Sequence, residues 1–233
     1  VKNIPEAKYR DKGTDFAKLS KFLEKDEKAV KIFNISKPQF ELDNTELLFM
    51  TNKGSVKRSP LSEYLVAKSY FAAIKLKDEE VLDVQEYNKD SSILMLTKNG
   101  MVLNFDSDLP STGRISGGIK GIILDDGDVC ILASQVKRQG ALTALTTKGY
   151  AKNVPVGEFE VSSRNRKGLK VFNPKDVGQI VAASVGMVPP SFIIKHEGAF
   201  MVLKSIYIPY DNRTGKGKQI YNYDDIKSAT PIV

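Results

Sequence analysis

The sequence contains one cysteine, one histidine and no tryptophan among its 233 residues. The single cysteine, Cys130, excludes an internal disulfide framework and suits a reducing compartment. A metal site usually needs three or four ligands, and Cys130 and His196 cannot supply such a set. No apolar run approaches the roughly 20 residues of a membrane span, and no stretch has the pattern of a signal-peptide core. The sequence therefore predicts neither a metal site nor insertion into a membrane.

Residues suited to catalysis are also scarce. A serine or cysteine nucleophile needs a base as partner, and the one histidine lies in a "KHEG" turn. The segment "GRISGGIKG" (113–121) is rich in glycine, but it lacks the G-K-[ST] ending and the following helix of a phosphate-binding loop. We therefore expect no enzyme activity and no cofactor in this chain.

Negative charge is in deficit, because 35 Lys and Arg residues outnumber 28 Asp and Glu and leave a net charge of +7. A positive balance favours an anionic partner, first nucleic acid and second a membrane surface. Solubility alone explains such a charge equally well. The distribution of the basic residues along the chain has to decide between these interpretations.

The chain repeats itself. Four glycines, spaced 46 to 49 residues apart, each follow a short apolar run and precede an extended segment that reaches a proline. One of them belongs to an Asn-Gly pair, which supplies the positive φ of a tight hairpin turn. The four glycines and their segments are "ELLFMTNKGSVKRSPLSEY" at Gly54, "SILMLTKNGMVLNFDSDLP" at Gly100, "LTALTTKGYAKNVPVGEF" at Gly149 and "SFIIKHEGAFMVLKSIYIP" at Gly198.

The pattern divides the chain into five units, here called units 1 to 5, at 1–45, 46–90, 91–140, 141–190 and 191–233. Four short strands every ~45–50 residues are typical of a propeller-like array. We predict a single all-β domain, a disc of five blades. The first blade is incomplete unless the tail (219–233) or a neighbour supplies its missing strand. Residues 15–31 show helical spacing, and we interpret them as a strand pair.

Several copies of one segment carry a family resemblance. "TNKGSVKRSPLSEY" (51–64), "TKNGMVLNFDSDLPSTGRISGGIKGIIL" (97–124) and "TTKGYAKNVPVGEFEVSSRNRKGLKVF" (146–172) resemble the C-terminal domain of the A subunit of bacterial type II topoisomerases, gyrase and topoisomerase IV. The resemblance implies a β-pinwheel, a propeller-like disc whose blades exchange strands. Its basic rim is expected to bind and bend duplex DNA without sequence specificity.

The same resemblance implies that DNA cleavage belongs to the N-terminal core of the same polypeptide, and ATP hydrolysis to a partner subunit. The whole enzyme is then expected to be cytoplasmic in a bacterium, associated with the nucleoid, and to use ATP and Mg²⁺. Gyrase carries a Q-R-R-G-G-K-G box after the first unit's P-L-S-E-Y segment. Here the matching stretch is "KYRDKGTDF", interrupted by Asp11, with a looser echo in "NRTGKGKQ" (212–219). The eroded box and the five units favour topoisomerase IV over gyrase, whose wrapping domain is the alternative.

Basic residues recur in the loops after the prolines, which should place them on one edge of the disc. Neighbouring glycines allow the backbone to approach a phosphate. A second basic set follows the turn glycines. The predicted DNA contacts are, in the loops, Arg10, Lys12, Lys68, Arg114, Lys120, Arg164, Arg166, Lys167, Lys170, Arg213, Lys216 and Lys218, and after the turns, Lys57, Arg58 and Lys152.

Two features of the second unit modify this picture. Its loop, "LVAKSYFAA", is apolar, so we expect it to be packed and the basic rim to be interrupted there. Tyr64 and Tyr9 occupy matching repeat positions and suit blade packing better than catalysis. A propeller that binds protein partners remains the competing hypothesis. Salt separates the two, because phosphate contacts weaken steeply with salt and an apolar interface does not.

Overall fold

The computed structural model describes residues 5–15, 18, 27–36, 45–68, 70–222 and 226–232. These residues form an all-β structure of four small antiparallel sheets. A four-residue α-helix, α1, spans Pro174–Val177, and among the described residues there is no helix with the length and apolar character needed to cross a bilayer. The all-β prediction is confirmed.

The strands are short, and most have five to seven residues. Short 3₁₀ turns follow three of the hairpins, at Leu61–Tyr64, Val156–Glu158 and Ser205–Tyr207. The strands are β1 (Glu46–Thr51), β2 (Ser55–Pro60), β3 (Val81–Glu86), β4 (Ser92–Thr97), β5 (Met101–Asp106), β6 (Ile119–Lys120), β7 (Cys130–Val136), β8 (Ala141–Thr146), β9 (Tyr150–Pro155), β10 (Leu169–Lys170), β11 (Ile180–Gly186), β12 (Ser191–His196), β13 (Ala199–Leu203), β14 (Lys218–Gln219) and β15 (Ser228–Ile232).

Each of the first three sheets combines three strands of one unit's frame with a strand that a following unit donates. The orders are β3-β1-β2-β6, β10-β5-β4-β7 and β11-β8-β9-β14. The donated strands β6, β10 and β14 pair with the second strand of each hairpin. The last sheet, β13-β12-β15, holds three strands of unit 5. Strand exchange between neighbouring units, expected from the resemblance, is therefore present.

The hairpin turns form at the four repeat glycines. Gly54, Gly100, Gly149 and Gly198 all have φ between +75° and +85°, a region that costs side-chain-bearing residues free energy. A threonine three residues before the glycine closes the first three turns, because its hydroxyl accepts the N–H of the residue after the glycine. These pairs are Thr51 with Ser55, Thr97 with Met101 and Thr146 with Tyr150.

The core lies between successive sheets. Leu48 and Met50 of β1 pack with Ile93 and Met95 of β4, whereas Leu94 of the same strand packs against unit 4. Both faces of these central strands are therefore covered by neighbouring sheets. This explains why they are continuous apolar runs and do not alternate between apolar and polar residues.

The predicted first blade has a different outcome. The described parts of 1–45 contain no strand, and the rest of that unit, with most of the helix-like 15–31 segment, lies outside the described residues. Phe33 and Ile35 pack on the outer face of the sheet of unit 2. The described part of the tail does not supply the missing strand of the first blade, because β14 joins the sheet of unit 4 and β15 pairs with β12.

Candidate nucleic-acid interface

Three basic loops occupy equivalent places in the structure. They are named here the rim loops: 111–120 of unit 3, 162–170 of unit 4 and 211–218 of unit 5. Each enters beside the second hairpin strand of the preceding sheet, through the N–H groups of Thr112, Ser162 and Asp211, which donate to the carbonyl oxygens of Arg58, Asn104 and Asn153. Each then leaves through a donated strand. Recurrence in sequence thus corresponds to recurrence in position.

Each rim loop carries one arginine whose guanidinium reaches back to the preceding unit. Arg114 Nη1 donates to the carbonyl of Ala72. Arg164 Nη1 donates to that of Lys120 at 3.2 Å, and Arg213 Nη1 to that of Lys170 at 3.1 Å. A guanidinium has five N–H donors, so the remaining donors of Arg164, whose side chain is exposed, can face a phosphate.

Most other predicted contacts in the loops are exposed. One exposed lysine is already paired: Lys167 Nζ forms an ion pair with the carboxylate of Asp125, which raises the pKa of that lysine. The ammonium of this predicted DNA contact is therefore already engaged by a carboxylate. The exposed residues of the predicted set are Arg10, Lys12, Lys68, Lys120, Arg164, Arg166, Lys167, Lys170, Lys216 and Lys218.

Lys57 and Lys152, predicted as DNA contacts, are buried, with 2% and 0% of their surface exposed. Their ammonium groups lie over the rings of Phe49 and Phe172 at 5.4 and 4.7 Å. Burial lowers the pKa of each to about 8, against the pull of nearby carboxylates. A buried ammonium cannot reach a phosphate from outside, so the expectation of direct contact is corrected for both.

Arg58, the third residue of the second basic set, is half-buried and already engaged. Its Nε lies 2.7 Å from a carboxylate oxygen of Glu46, and its guanidinium stacks on Tyr87 at 4.4 Å. The repeat position that Arg58 occupies holds Asn104 and Asn153 in the next two units. Their side-chain amides donate to the carbonyls of Phe159 and Ile208. In those two units, the side chain at this position therefore connects the hairpin to the next unit by a hydrogen bond.

The apolar loop of unit 2 (65–73) is packed less than predicted, because Leu65 and Tyr70 are 65% and 56% exposed and none of its described residues is fully buried. Packing is found at its start and around Phe71. The ring of Tyr64 stacks on Phe49 at 5.9 Å and lies 6.5 Å from Phe71, so Tyr64 is a packing residue. Tyr9, at the matching position of unit 1, is fully exposed. The expected packing role therefore holds for Tyr64 and fails for Tyr9.

Among the residues that the structure describes, no three His, Cys, Asp or Glu side chains are grouped so that they could hold a metal ion. Cys130 is buried, and desolvation raises the pKa of its thiol to about 12, so it is not a nucleophile at neutral pH.

Sequence reasoning missed two glutamates that contact the rim loops. Glu63 accepts the backbone N–H of Arg114 at 2.9 Å, and Glu158 accepts that of Arg213 at 2.6 Å. A signal was present, because both follow their turn glycine by the same interval and lie in the matching segments "PLSEY" and "PVGEF".

Comparison with known proteins agrees with this architecture. The model of the family "DNA gyrase C-terminal domain, beta-propeller" matches residues 45–84, 91–137 and 142–185, more than half of the chain. The solved C-terminal domain of DNA topoisomerase IV superposes with a TM-score of 0.88 at 23% identity, covering 100% of this chain and 74% of that one. The DNA gyrase A C-terminal domain gives a TM-score of 0.66 at 22% identity, covering 82% and 67%.

Two relatives represent both enzyme types. The A subunit of DNA gyrase from Metamycoplasma arthritidis is 30% identical over 94% of this chain. The A subunit of DNA topoisomerase 4 from Bacillus subtilis is 31% identical over 72% of it. The chain spans about a quarter of the length of these relatives, 24% and 21% respectively. The chain belongs to the family of the DNA gyrase C-terminal domain, the β-propeller domain of type II topoisomerase A subunits.

Proposed function

We propose that this chain binds and bends duplex DNA without catalysis, steering which DNA segment a type II topoisomerase captures during relaxation and decatenation. The observation that supports it is the recurrence of the rim loops at one position of three consecutive units. Each loop brings an arginine and at least one exposed lysine to the edge of a sheet, and the chain carries a net charge of +7. The loops offer phosphates several cationic contacts along one path.

The binding is proposed to be independent of sequence. Direct readout needs an element that enters a groove, such as a helix or a two-stranded ribbon. Among the described elements, the helix α1 has four residues, too few for that purpose, and the hairpins β1-β2, β4-β5 and β8-β9 lie inside four-stranded sheets. Loops with lysine, arginine and backbone N–H groups contact phosphates, which position the duplex but do not identify its bases.

Several rim loops have to act together. Bending a site of 20–30 bp by 40–90° costs on the order of 1–6 kcal/mol. Non-specific binding with a Kd of roughly 10⁻⁴–10⁻⁶ M supplies only about 5.5–8 kcal/mol in total. One loop cannot offset the bend, whereas three loops that hold the same duplex can.

The test removes the densest basic cluster, in "SRNRKGLK" (163–170). Alanine at Arg164, Arg166 and Lys167 should weaken binding alike for all sequences. The slope of log K against log salt should flatten by about 1.8 if only the two arginines contact phosphates, and by up to about 2.7 if all three do. The bend angle, measured by energy transfer between duplex ends, should fall more than proportionally, because DNA released at one loop no longer reaches the next.

The matched control removes three lysines outside the rim loops, Lys89, Lys98 and Lys137, which are exposed. It changes the net charge equally and should leave the slope within about one contact of the wild type. If both variants lost affinity and salt slope equally, the rim loops would contribute only through the overall positive charge of the chain. An apolar partner interface, the competing function, would give wild-type binding that barely changes with salt.

The remaining steps of the reaction are proposed to lie elsewhere in the enzyme. An N-terminal cleavage core of the same polypeptide, together with an ATPase partner subunit, would supply strand breakage, ATP hydrolysis and the Mg²⁺ requirement in the cytoplasm. The isolated chain should therefore bind a plasmid without nicking it and without releasing phosphate from ATP.

We further propose bending of the topoisomerase IV type rather than gyrase-type wrapping. Asp11 places a negative charge inside the segment that matches the gyrase box, and its carboxylate accepts the N–H of Lys8 at 2.7 Å. A nicked circle sealed in the presence of the domain should keep the linking number of the free circle. A large shift in linking number would favour wrapping.

A further inference from the structure

The side chains of Lys152 and Glu158 hold both ends of one residue in the next unit. Lys152 Nζ donates to the carbonyl oxygens of Asn212, Arg213 and Gly215 at 3.0, 2.9 and 2.6 Å. Glu158 Oε2 accepts the N–H of Arg213 at 2.6 Å. The arginine's carbonyl and N–H are thus bound by a cation and an anion of the preceding unit, and its guanidinium lies outside both contacts.

The same arrangement occurs two units earlier. Lys57 Nζ donates to the carbonyl oxygens of Arg114 at 2.5 Å and Ala73 at 3.1 Å. Glu63 Oε2 accepts the N–H of Arg114 at 2.9 Å. In both cases the bound residue is the arginine of a rim loop. Two independent occurrences with the same partners argue against a chance contact.

The remaining rim loop, 162–170, provides an internal contrast. The positions that match Lys57 and Glu63 in unit 3 hold Leu103 and Leu109. Arg164, the arginine of the following loop, is exposed, whereas Arg114 and Arg213 are partly buried. Its loop is held by backbone hydrogen bonds instead, from Asn165 N–H to Gly121 O and from Ile123 N–H to Arg166 O.

A lysine buried inside a sheet is unfavourable for the stability of the fold. Burying an ammonium costs several kcal/mol before its hydrogen bonds recover part of it, and a hydrophobic residue of similar size is often neutral or better. The core itself does not require the charge, because leucine fills the same position in unit 3. The role of these two lysines is therefore to donate hydrogen bonds to the backbone carbonyls that they contact.

We propose that Lys57 with Glu63, and Lys152 with Glu158, are positioning residues that fix the backbone of Arg114 and Arg213 so that the rim loops present these arginines to duplex phosphates. The proposal rests on the proposed function, because it assigns the preorganisation of the same DNA-binding loops. Without these contacts, each loop would sample conformations in which the arginine lies out of register with the others.

The first experiment does not involve DNA. Lys152→Met keeps the length of the side chain but removes the ammonium, and Glu158→Ala removes the acceptor. Both variants should speed amide hydrogen exchange in 211–217 by tenfold or more, with 162–168 unchanged. Glu158→Gln, which keeps an acceptor oxygen, should stay near the wild type. Unchanged exchange in 211–217 in the Lys152→Met and Glu158→Ala variants would overturn the proposal.

The second experiment is a double-mutant cycle on DNA binding. Arg213→Ala should lower the salt slope by about 0.9, the value of one phosphate contact. Lys152→Met should lower it by a similar amount, and the double variant should match Arg213→Ala alone, because the lysine acts through the arginine. Lys98→Met, an exposed lysine at a hairpin turn, is the control and should leave the slope unchanged.

The outcomes separate the two proposals. If Arg213→Ala lowers the slope and Lys152→Met does not, or if their effects add, the positioning role is wrong. If neither Arg213→Ala nor the triple rim variant changes the slope, the proposed DNA-binding function fails. In that case faster exchange in 211–217 would still show that Lys152 fixes this backbone, but positioning for DNA would be overturned together with the function.

Discussion

Lys57 and Lys152 illustrate how one residue type takes two roles in these repeated units. On the exposed loops a lysine is a flexible cation, whereas at the third position after the turn glycine it is buried and bonded to carbonyls. The difference is set by the neighbouring unit, which covers the lysine and removes water. That burial lowers the pKa of both to about 8.

This shift predicts an unusual dependence of stability on pH. Because the folded pKa lies below the unfolded value near 10.4, the unfolded chain binds more protons between pH 8 and 10. The free energy of unfolding should therefore gain from these two lysines as the pH rises through that window. The groups that face them are Glu63 and Arg114 for Lys57, and Asp211, Glu158 and Arg213 for Lys152.

The measurement compares wild type with Lys57→Met/Lys152→Met by urea denaturation at pH 7.5 and 9.5. Cys130 acts in the opposite direction above about pH 8.5, because its folded pKa is raised, but it is common to both proteins. The wild type should gain stability relative to the variant over this interval. A constant difference would show that the lysines titrate normally.

At the scale of the element, the hairpin turn is the unit that repeats. Gly100 and Gly198 have nearly equal φ values, +85° and +84°, yet their surroundings differ. A Cβ at Gly100 would lie 2.7 Å from the carbonyl oxygen of Phe172 in the next unit. A Cβ at Gly198 would meet nothing within 4 Å among the described residues. The first three turns are therefore constrained twice, by φ and by the neighbouring unit.

Alanine at these two glycines separates the two constraints. Gly198→Ala should cost about 1–2 kcal/mol, the penalty of a left-handed residue with a Cβ. Gly100→Ala should cost about 1–3 kcal/mol more, because the backbone of unit 4 has to shift. Urea denaturation of both variants measures the difference. Equal costs would mean that unit 4 does not press on this turn.

At the scale of the whole molecule, the sheet of unit 5 differs from the other three. In the described part of the chain, strand β13 lies at the sheet edge without a donated strand. Phe200 and Val202 on that strand are 70% and 58% exposed. In β12 the burial alternates, with Phe192 and Ile194 buried and Ile193 exposed, as expected for a sheet with one covered face.

The open edge predicts uneven protection of the hairpins. Outward N–H groups of β13 should exchange with solvent faster than those of β9, which β14 and the 211–217 loop cover. Exchange followed by NMR at each amide would measure this, with β5, covered by β10, as a second reference. Equal protection of β13 and β9 would show that another segment pairs with the last sheet.

Local sequence patterns alone predict the repeat, the all-β class, the turns at Gly54, Gly100, Gly149 and Gly198, and the position of the basic loops. These features depend on local chemistry, namely the φ tolerance of glycine and the short apolar runs, so neighbouring residues suffice to predict them. The 3₁₀ turn after Pro60 and the absence of any strand in the described part of unit 1 were not predicted.

Which basic residues face outward depends on contacts between the units of the folded chain. Lys57 and Lys120 each follow one apolar residue, and the sequence predicts both as DNA contacts. In the structure, Lys57 is buried and bonded to the 111–120 loop of the next unit, whereas Lys120 in that loop is exposed. Because strand exchange brings together residues about 60 positions apart, such as Lys152 and Arg213, burial and pKa depend on contacts that no local pattern records.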